Sequence, residues 1–280
     1  FVEPGHEVLV LEPWFDLYAA AIDLAGGVRV GVPPVPGTFR PDPTALRAQI
    51  TPRSRMLIVN SPHNPTGAVL TAAELGALAA EAIAADLVVL ADEAYEHLWF
   101  DEHRHIPIAT LPGMAQRTVT VGSAGKSLSF TGWKVGWATG PPDLIGAVRV
   151  IRQHLSYVSG GPFQWAVAEG LTELPRSHWD AARTTLAQQR DLLAAGLSGI
   201  GLEVLPSQGT YFLLTDVTGV GYDSGESFCS ELPQRAGVVA IPVAPFCDHP
   251  AVGQSWVRWA FCKRPEVLSD AVGRLRTAFG

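Results

Sequence analysis

The chain is short of cysteine, of charge and of uninterrupted apolar stretches, and each shortage removes a class of protein. Its 280 residues include three cysteines, Cys229, Cys247 and Cys262. An odd count with no Cys-x-x-Cys pair supplies neither a disulfide framework nor a zinc ligand set, and it fits a reducing, cytoplasmic setting. Charged residues make up 17% of the chain, 27 acidic against 20 basic, for a net charge of −7. No basic block offsets that balance, so a nucleic-acid backbone is excluded as a partner. The longest apolar run, Leu75 to Ala91, is interrupted by Glu81 and Asp86. It divides into a helix and a strand and leaves no membrane span or signal peptide. Internal repeats and low-complexity tracts are also missing. What remains is a globular chain, 47% apolar and long enough to bury a large core.

Strand-like runs alternate with helical ones through the first half. Glu7–Leu11, Arg55–Val59, Asp86–Ala91 and Thr118–Val121 read as strands. Between them lie a helix ending at Ala25, a proline-rich loop from Pro33, a short helix Pro43–Gln49, and a helix opened by Thr71 with Glu74 as a capping box. That alternation predicts an α/β fold with a mainly parallel sheet and helices on both faces. Lys134–Thr139 reads as a further strand, Pro142–Leu155 as a helix, and Trp165–Gly199 as a long helical stretch interrupted at Pro175. The character then changes. Short strands at Tyr211–Leu214, Val238–Ile241 and Trp256–Phe261, closed by a helix Pro265–Ala278, predict a smaller α+β layer. The opening, Phe1 to Val8, reads as a connection into a strand, which sets the expectation that the chain begins inside a domain.

Polar residues gather where the strands end. Asn64 follows the second strand, in a stretch where Pro62 and Pro65 forbid regular structure and fix the direction of the asparagine. Asp92 and Tyr95 follow the third, and Ser123 and Lys126 follow the fourth. Ligands of open α/β sheets sit beyond the carboxyl ends of strands, so an amide, a carboxylate, a phenol, a hydroxyl and an amine on one edge predict an active site. An acid there could also cap a helix. Gly125-Lys126-Ser127 imitates the tail of a nucleotide-binding P-loop, but Thr120 stands where that loop needs a glycine, which excludes it. His97, His103 and His105 match no metal-ligand spacing and read as a solvated loop. Trp14, Phe15 and Tyr18 offer either core packing or a flat face for a ring. Arg258, alternating with Trp256 and Trp259, is aimed at one face and suits a specific anion.

These stretches resemble the class I/II aminotransferases of the pyridoxal-phosphate-dependent fold type I group. The resemblance is carried by Asn60-Ser-Pro-His-Asn-Pro-Thr-Gly67, Asp92-Glu-Ala-Tyr95, Ser123-Ala-Gly-Lys126, Thr131-Gly-Trp-Lys-Val-Gly136 and Arg258, in matching order over nearly the whole chain. Gly122-Ser-Ala-Gly-Lys126 and Gly132-Trp-Lys-Val-Gly-Trp137 are similar to the kynurenine/glutamine aminotransferase branch. Ser61 to Leu70 with Ala244-Pro-Phe-Cys-Asp248 looks closer to the N-succinyldiaminopimelate aminotransferases.

The resemblance implies a large cofactor-binding domain over residues 1–172, a small domain over 173–280, and a homodimer with its active site at the subunit interface. It implies pyridoxal 5'-phosphate as cofactor, with Lys126 forming the Schiff base and then moving the α-proton. Asp92 would pair with the ring nitrogen, and Asn64 and Tyr95 with the ring oxygen. Ser123 and Lys134 would take the phosphate, and Phe15, with Trp14 as fallback, would stack on the ring. Arg258 would grip the substrate α-carboxylate, with Asn64 beside it. The implied reaction moves an amino group from N-succinyldiaminopimelate to 2-oxoglutarate in lysine biosynthesis. Kynurenine, glutamine or methionine transamination, a cysteine-conjugate β-lyase, and a non-catalytic domain keeping the fold stay open. A second substrate carboxylate needs a second cation, for which Arg40, Arg104 and Arg152 are candidates. The family's N-terminal arm, glycine-containing phosphate loop and partner-supplied tyrosine have no counterpart here. An opening beside Ser123 and Lys134 is therefore expected. The stretch between Asp248 and Trp256 is also short for the branch.

Overall fold

Val8, Leu9 and Val10 are all buried within strand β1 (Glu7–Leu11), as a strand covered on both faces requires. In the computed structural model, which describes residues 1–158 and 160–280, β1 lies inside a six-stranded sheet. The sheet is completed by β2 (Val28–Val32), β3 (Ser54–Asn60), β4 (Val88–Asp92), β5 (Thr118–Ser123) and β6 (Gly136–Thr139), in the order β2-β1-β3-β4-β5-β6. The first five strands pair in parallel, and β6 returns antiparallel to β5. Helices α1 (Leu17–Leu24), α2 (Pro43–Gln49) and α3 (Ala72–Ala84) make the crossovers. Asp42 caps α2 ahead of Pro43, and Thr71 and Glu74 form the capping box of α3. The core on one face runs through Leu9, Leu57, Leu75, Leu78 and Met114, all essentially without exposure.

Sequence pattern alone does not mark β2. Gly31 breaks its alternation and Gly26-Gly27 precede it, so it imitates a loop until it pairs with β1. After β5 a single turn, α4 (Ala124–Ser127), carries the chain away from the sheet, and β6 begins two residues later than the sequence suggests. Helices α5 (Pro142–Leu155), α6 (Gly161–Glu173) and α7 (Arg176–Ser198) follow, the last two separated at Pro175. The first two expose Val150, Ile151, Leu155, Phe163 and Trp165.

The second sheet is antiparallel, in the order β7-β8-β10-β9, from β7 (Glu203–Leu205), β8 (Phe212–Asp216), β9 (Ile241–Pro242) and β10 (Trp256–Ala260). Helix α8 (Gly225–Ala236) and helix α9 (Pro265–Phe279) pack with it around Phe228, Leu213, Leu197 and Phe261. Most of the expected strand at Val238–Ile241 is irregular; only Ile241 and Pro242 pair. Helix α8 escapes sequence detection because Pro233 sits inside it, although Ser224 caps its start and Gly237 (φ 62°) ends it.

Two seams join the sheets. Gln208 and Gly209 both donate to the Gly67 carbonyl at 2.8 Å, and Thr210 donates to the Leu98 carbonyl at 2.9 Å. Gly67 tolerates this approach because it has φ 72° and no Cβ to strike Ser207. At the other seam the buried Glu12 carboxylate accepts from the backbone of Asp248 (3.1 Å) and from His249 Nδ1 (2.8 Å). Asp248 pairs with Arg29 at 2.6 Å. No helix among the described residues is long and apolar enough to cross a membrane.

Candidate active site

The parallel register places Asn60 beside Asp92 and Asp92 beside Val121, so β3, β4 and β5 end at one edge. Asn60 ties that edge together. Its Nδ2 donates to the Asp92 carbonyl at 2.8 Å, and its Oδ1 accepts from the Asn64 backbone at 2.9 Å, which sets the buried Asn64 side chain. The Asp92 carboxylate accepts from Tyr18 Oη at 2.5 Å and from the Ala94 backbone at 3.1 Å. Burial pushes the Asp92 pKa up, and these two donors oppose the rise. Tyr18, itself enclosed and beside that carboxylate, is held well above the ordinary phenol value and stays a donor. Among the described residues Asp92 has no cation at ion-pair distance.

Lys126 projects from α4, one turn beyond β5. Its Nζ donates to Tyr211 Oη at 2.7 Å and lies 5.6 Å from the centre of the Tyr95 ring. Tyr95 is raised far above the ordinary phenol value by burial, then by its neighbour Tyr211, to which it is hydrogen-bonded, and by Asp92. Arg258 arrives from β10 in the other sheet. Its Nη1 donates to Asn64 Oδ1 at 2.9 Å, and its guanidinium lies 4.5 Å from the Phe212 ring centre and 5.3 Å from that of Phe246. Burial lowers its pKa below the usual guanidinium value. No carboxylate among the described residues pairs with it.

Asn64, Asp92, Tyr95, Lys126 and Arg258 thus share one edge. Ser123 ends β5 and Lys134 lies two residues before β6, at the two ends of the segment that joins them, where Ala124 donates to the Val135 carbonyl at 3.1 Å. The Ser123 hydroxyl and the exposed Lys134 ammonium make no hydrogen bond among the described residues, and Lys134 has a left-handed backbone (φ 53°). Phe15 is half-buried and edge-on to Tyr18 at 5.7 Å. Trp14 is core, buried beneath Arg29 at 4.3 Å. Arg40 is committed elsewhere, forked onto Glu74 and also bonded to Gln208 and the Val69 carbonyl. Arg104 lies over Trp99, and Arg152 is exposed on α5.

The histidine stretch departs from the expected solvated loop. His97 stacks on Trp179 at 4.3 Å and bonds Ser127 Oγ at 2.8 Å, and burial lowers its pKa. His105 is enclosed against Glu93 at 2.9 Å. Two site residues carried no usable sequence signal. Tyr18 stood out only as an aromatic, and its link to Asp92 spans 74 residues. Tyr211 looked like any strand aromatic, and its link to Lys126 spans 85.

A half-buried carboxylate short of a cation, a half-buried guanidinium short of an anion, and an amine at the same edge can bind a ligand carrying both charges and move a proton on it. Comparison with known proteins points the same way. The family described as aminotransferase class I and II matches residues 1–275. A probable N-succinyldiaminopimelate aminotransferase of Mycobacterium tuberculosis is 53% identical over 286 residues, covering 98% of this chain and 71% of that protein. The solved structure of the N-succinyldiaminopimelate aminotransferase from Mycobacterium tuberculosis superposes with a TM-score of 0.96 at 52% identity, covering 99% of this chain and 72% of that one. A methionine aminotransferase of Escherichia coli superposes with a TM-score of 0.92 at 36% identity, over 99% and 72%.

Proposed function

The chain belongs to the class I and II aminotransferase family, and from that premise we propose that it transfers the amino group of N-succinyldiaminopimelate to 2-oxoglutarate with pyridoxal phosphate as cofactor. The observation that carries the reading is the pair of half-buried, unmatched charges, Asp92 and Arg258, delivered from two different sheets to one edge. Uncompensated buried charge is costly, and a bound group that supplies both counter-charges removes the cost.

The residues fit the cofactor. A protonated ring nitrogen answers Asp92, which Tyr18 helps to keep ionised. The Lys126 amine would meet the aldehyde carbon, and Tyr95 and Asn64 would hold the ring oxygen; their nearness to Lys126 and Arg258 supports this. Ser123 and Lys134 hold uncommitted donors for a phosphate, and Phe15 a flat face for the ring. When bound, the cofactor supplies an electron sink for the pair left as a Cα–H bond breaks. The chain's own work is orientation and proton transfer. Arg258 takes the substrate carboxylate in a fork and fixes which Cα bond faces Lys126, whose amine accepts the proton. Any amino acid and 2-oxo acid share that carboxylate, so the cofactor and the carboxylate grip are common to the family's reactions.

The substrate assignment rests on the two Mycobacterium tuberculosis relatives named above. A homodimer belongs to the same reading, and the exposed apolar residues of α5 and α6 support it. The test is a panel of amino donors against 2-oxoglutarate, with the cofactor-loaded enzyme. N-succinyldiaminopimelate should give the highest kcat/KM. Methionine or kynurenine exceeding it tenfold would overturn the substrate, and pyruvate with ammonia from a cysteine conjugate would overturn the reaction type.

A further inference from the structure

Tyr211 is tightly positioned for a residue that lies just ahead of a strand of the second sheet. The loop before it is fastened to the first sheet's loops as well as to its own strand. Gln208 and Gly209 donate to the Gly67 carbonyl, Thr210 donates to the Leu98 carbonyl, and Phe100 donates back to the Gln208 carbonyl at 2.8 Å. Gly67 closes the loop that carries Asn64, and Leu98 follows Tyr95 by three residues. Tyr211 is thus bolted to the segments that hold Asn64 and Tyr95. Thr210, β-branched and fully buried, adopts φ 64°, a conformation such residues avoid. Its hydroxyl accepts from the Phe212 backbone at 3.1 Å and locks the bend. Backbone strain of this kind persists where the surroundings over-determine it, and such places are often functional.

The strained bend delivers one phenol to one amine. Tyr211 Oη accepts from Lys126 Nζ at 2.7 Å, and the Tyr211 ring lies edge-on to Tyr95 at 5.2 Å. We propose that Tyr211 is a catalytic residue acting on Lys126: it aims the amine and holds the proton that the amine collects. This inference rests on the reading of Lys126 as the base. In the step, the Nζ lone pair would form a new N–H bond as the substrate Cα–H bond breaks, the electron pair of that bond being left to the sink that the cofactor would supply. The resulting ammonium needs an acceptor, and Tyr211 Oη supplies one without itself ionising. Delivery of the proton to its next carbon reverses the same contact.

Tyr211→Phe removes the hydroxyl and keeps the ring packed on Tyr95 and Phe212. In the cofactor-loaded enzyme kcat should fall roughly ten- to a hundredfold, the loss expected for a hydrogen bond to a charged group, while KM changes little. With α-deuterated amino donor the isotope effect on kcat should rise, because the proton step becomes slower. A readout without cofactor is the pH dependence of Lys126 modification by an amine reagent, followed by mass spectrometry. Its midpoint should fall in Tyr211→Phe, since the ammonium loses an acceptor. An unchanged kcat, an unchanged isotope effect or an unmoved midpoint would each overturn the proposal. Lys126→Ala tests the underlying reading separately: full activity there would sink Lys126 as base whatever Tyr211 does.

Discussion

Acid should loosen this protein through His63, a residue of the Asn60–Gly67 loop that takes no part in the chemistry. His63 is buried, with Nδ1 at 2.7 Å from Thr66 Oγ1 and the ring also bonded to the Pro13 carbonyl. Burial pulls its pKa from 6.5 down to about 4, and the neighbouring Arg40 adds to the fall. The unfolded chain therefore binds a proton between pH 6.5 and 4 that the folded chain refuses. Stability rises with pH across that window, is complete above it, and is lost as pH falls toward the folded value. Worked from the two pKa values, the loss is about 2.5 kcal/mol on going from pH 7.5 to pH 4.5. Urea unfolding at both pH values measures it, with His63→Gln as the reference that carries no titrating ring. The wild-type unfolding free energy should drop by about 2.5 kcal/mol more than that of the variant. Equal drops in the two proteins, within about 0.5 kcal/mol, would refute the reasoning, because other groups would then account for all of the pH dependence.

Arg258→Leu should weaken binding of amino acids and 2-oxo acids alike, by roughly 2–5 kcal/mol, and Arg258→Lys should rescue it poorly because the fork is lost. Titration of the cofactor-loaded enzyme with several substrates measures this, and unchanged affinity for all of them refutes it. Gly31→Ala tests the Glu12 seam, since a Cβ there would stand 2.1 Å from Glu12 Oε1 and 2.9 Å from Asp248 Oδ2. A destabilisation of about 1–3 kcal/mol is expected by thermal or urea unfolding, and a neutral variant would refute the tight fit.

Much of the first sheet was legible because its strands are buried on both faces and written as unbroken apolar runs, as in Val88–Ala91. The polar residues after β3, β4 and β5 were legible for the same reason: Asn64, Asp92 and Lys126 interrupt patterns that packing alone would continue. β2 was lost because Gly31 disguises a strand whose identity comes from pairing with β1. His105 reads as solvated in the sequence because only tertiary packing supplies Glu93 as its enclosed partner. Tyr211 illustrates the general limit. Its position is set by Thr210 in a left-handed bend and by bonds to Gly67 and Leu98, none of which leaves a periodic trace.

The seam between Gly67 and Gln208 also carries a timetable. All six strands of the first sheet lie before residue 140, whereas Arg258 enters with β10. A chain emerging from the ribosome can build the first sheet with Asp92 and Lys126 in place long before Arg258 is made. Until Gln208 and Gly209 dock on Gly67, the loop of Asn64 has an open carbonyl and Lys126 has no phenol to face. Contacts so distant along the chain close late. Arg258 is therefore the last of these site residues to enter the chain, and its contact with Asn64 forms only once β10 has joined the second sheet.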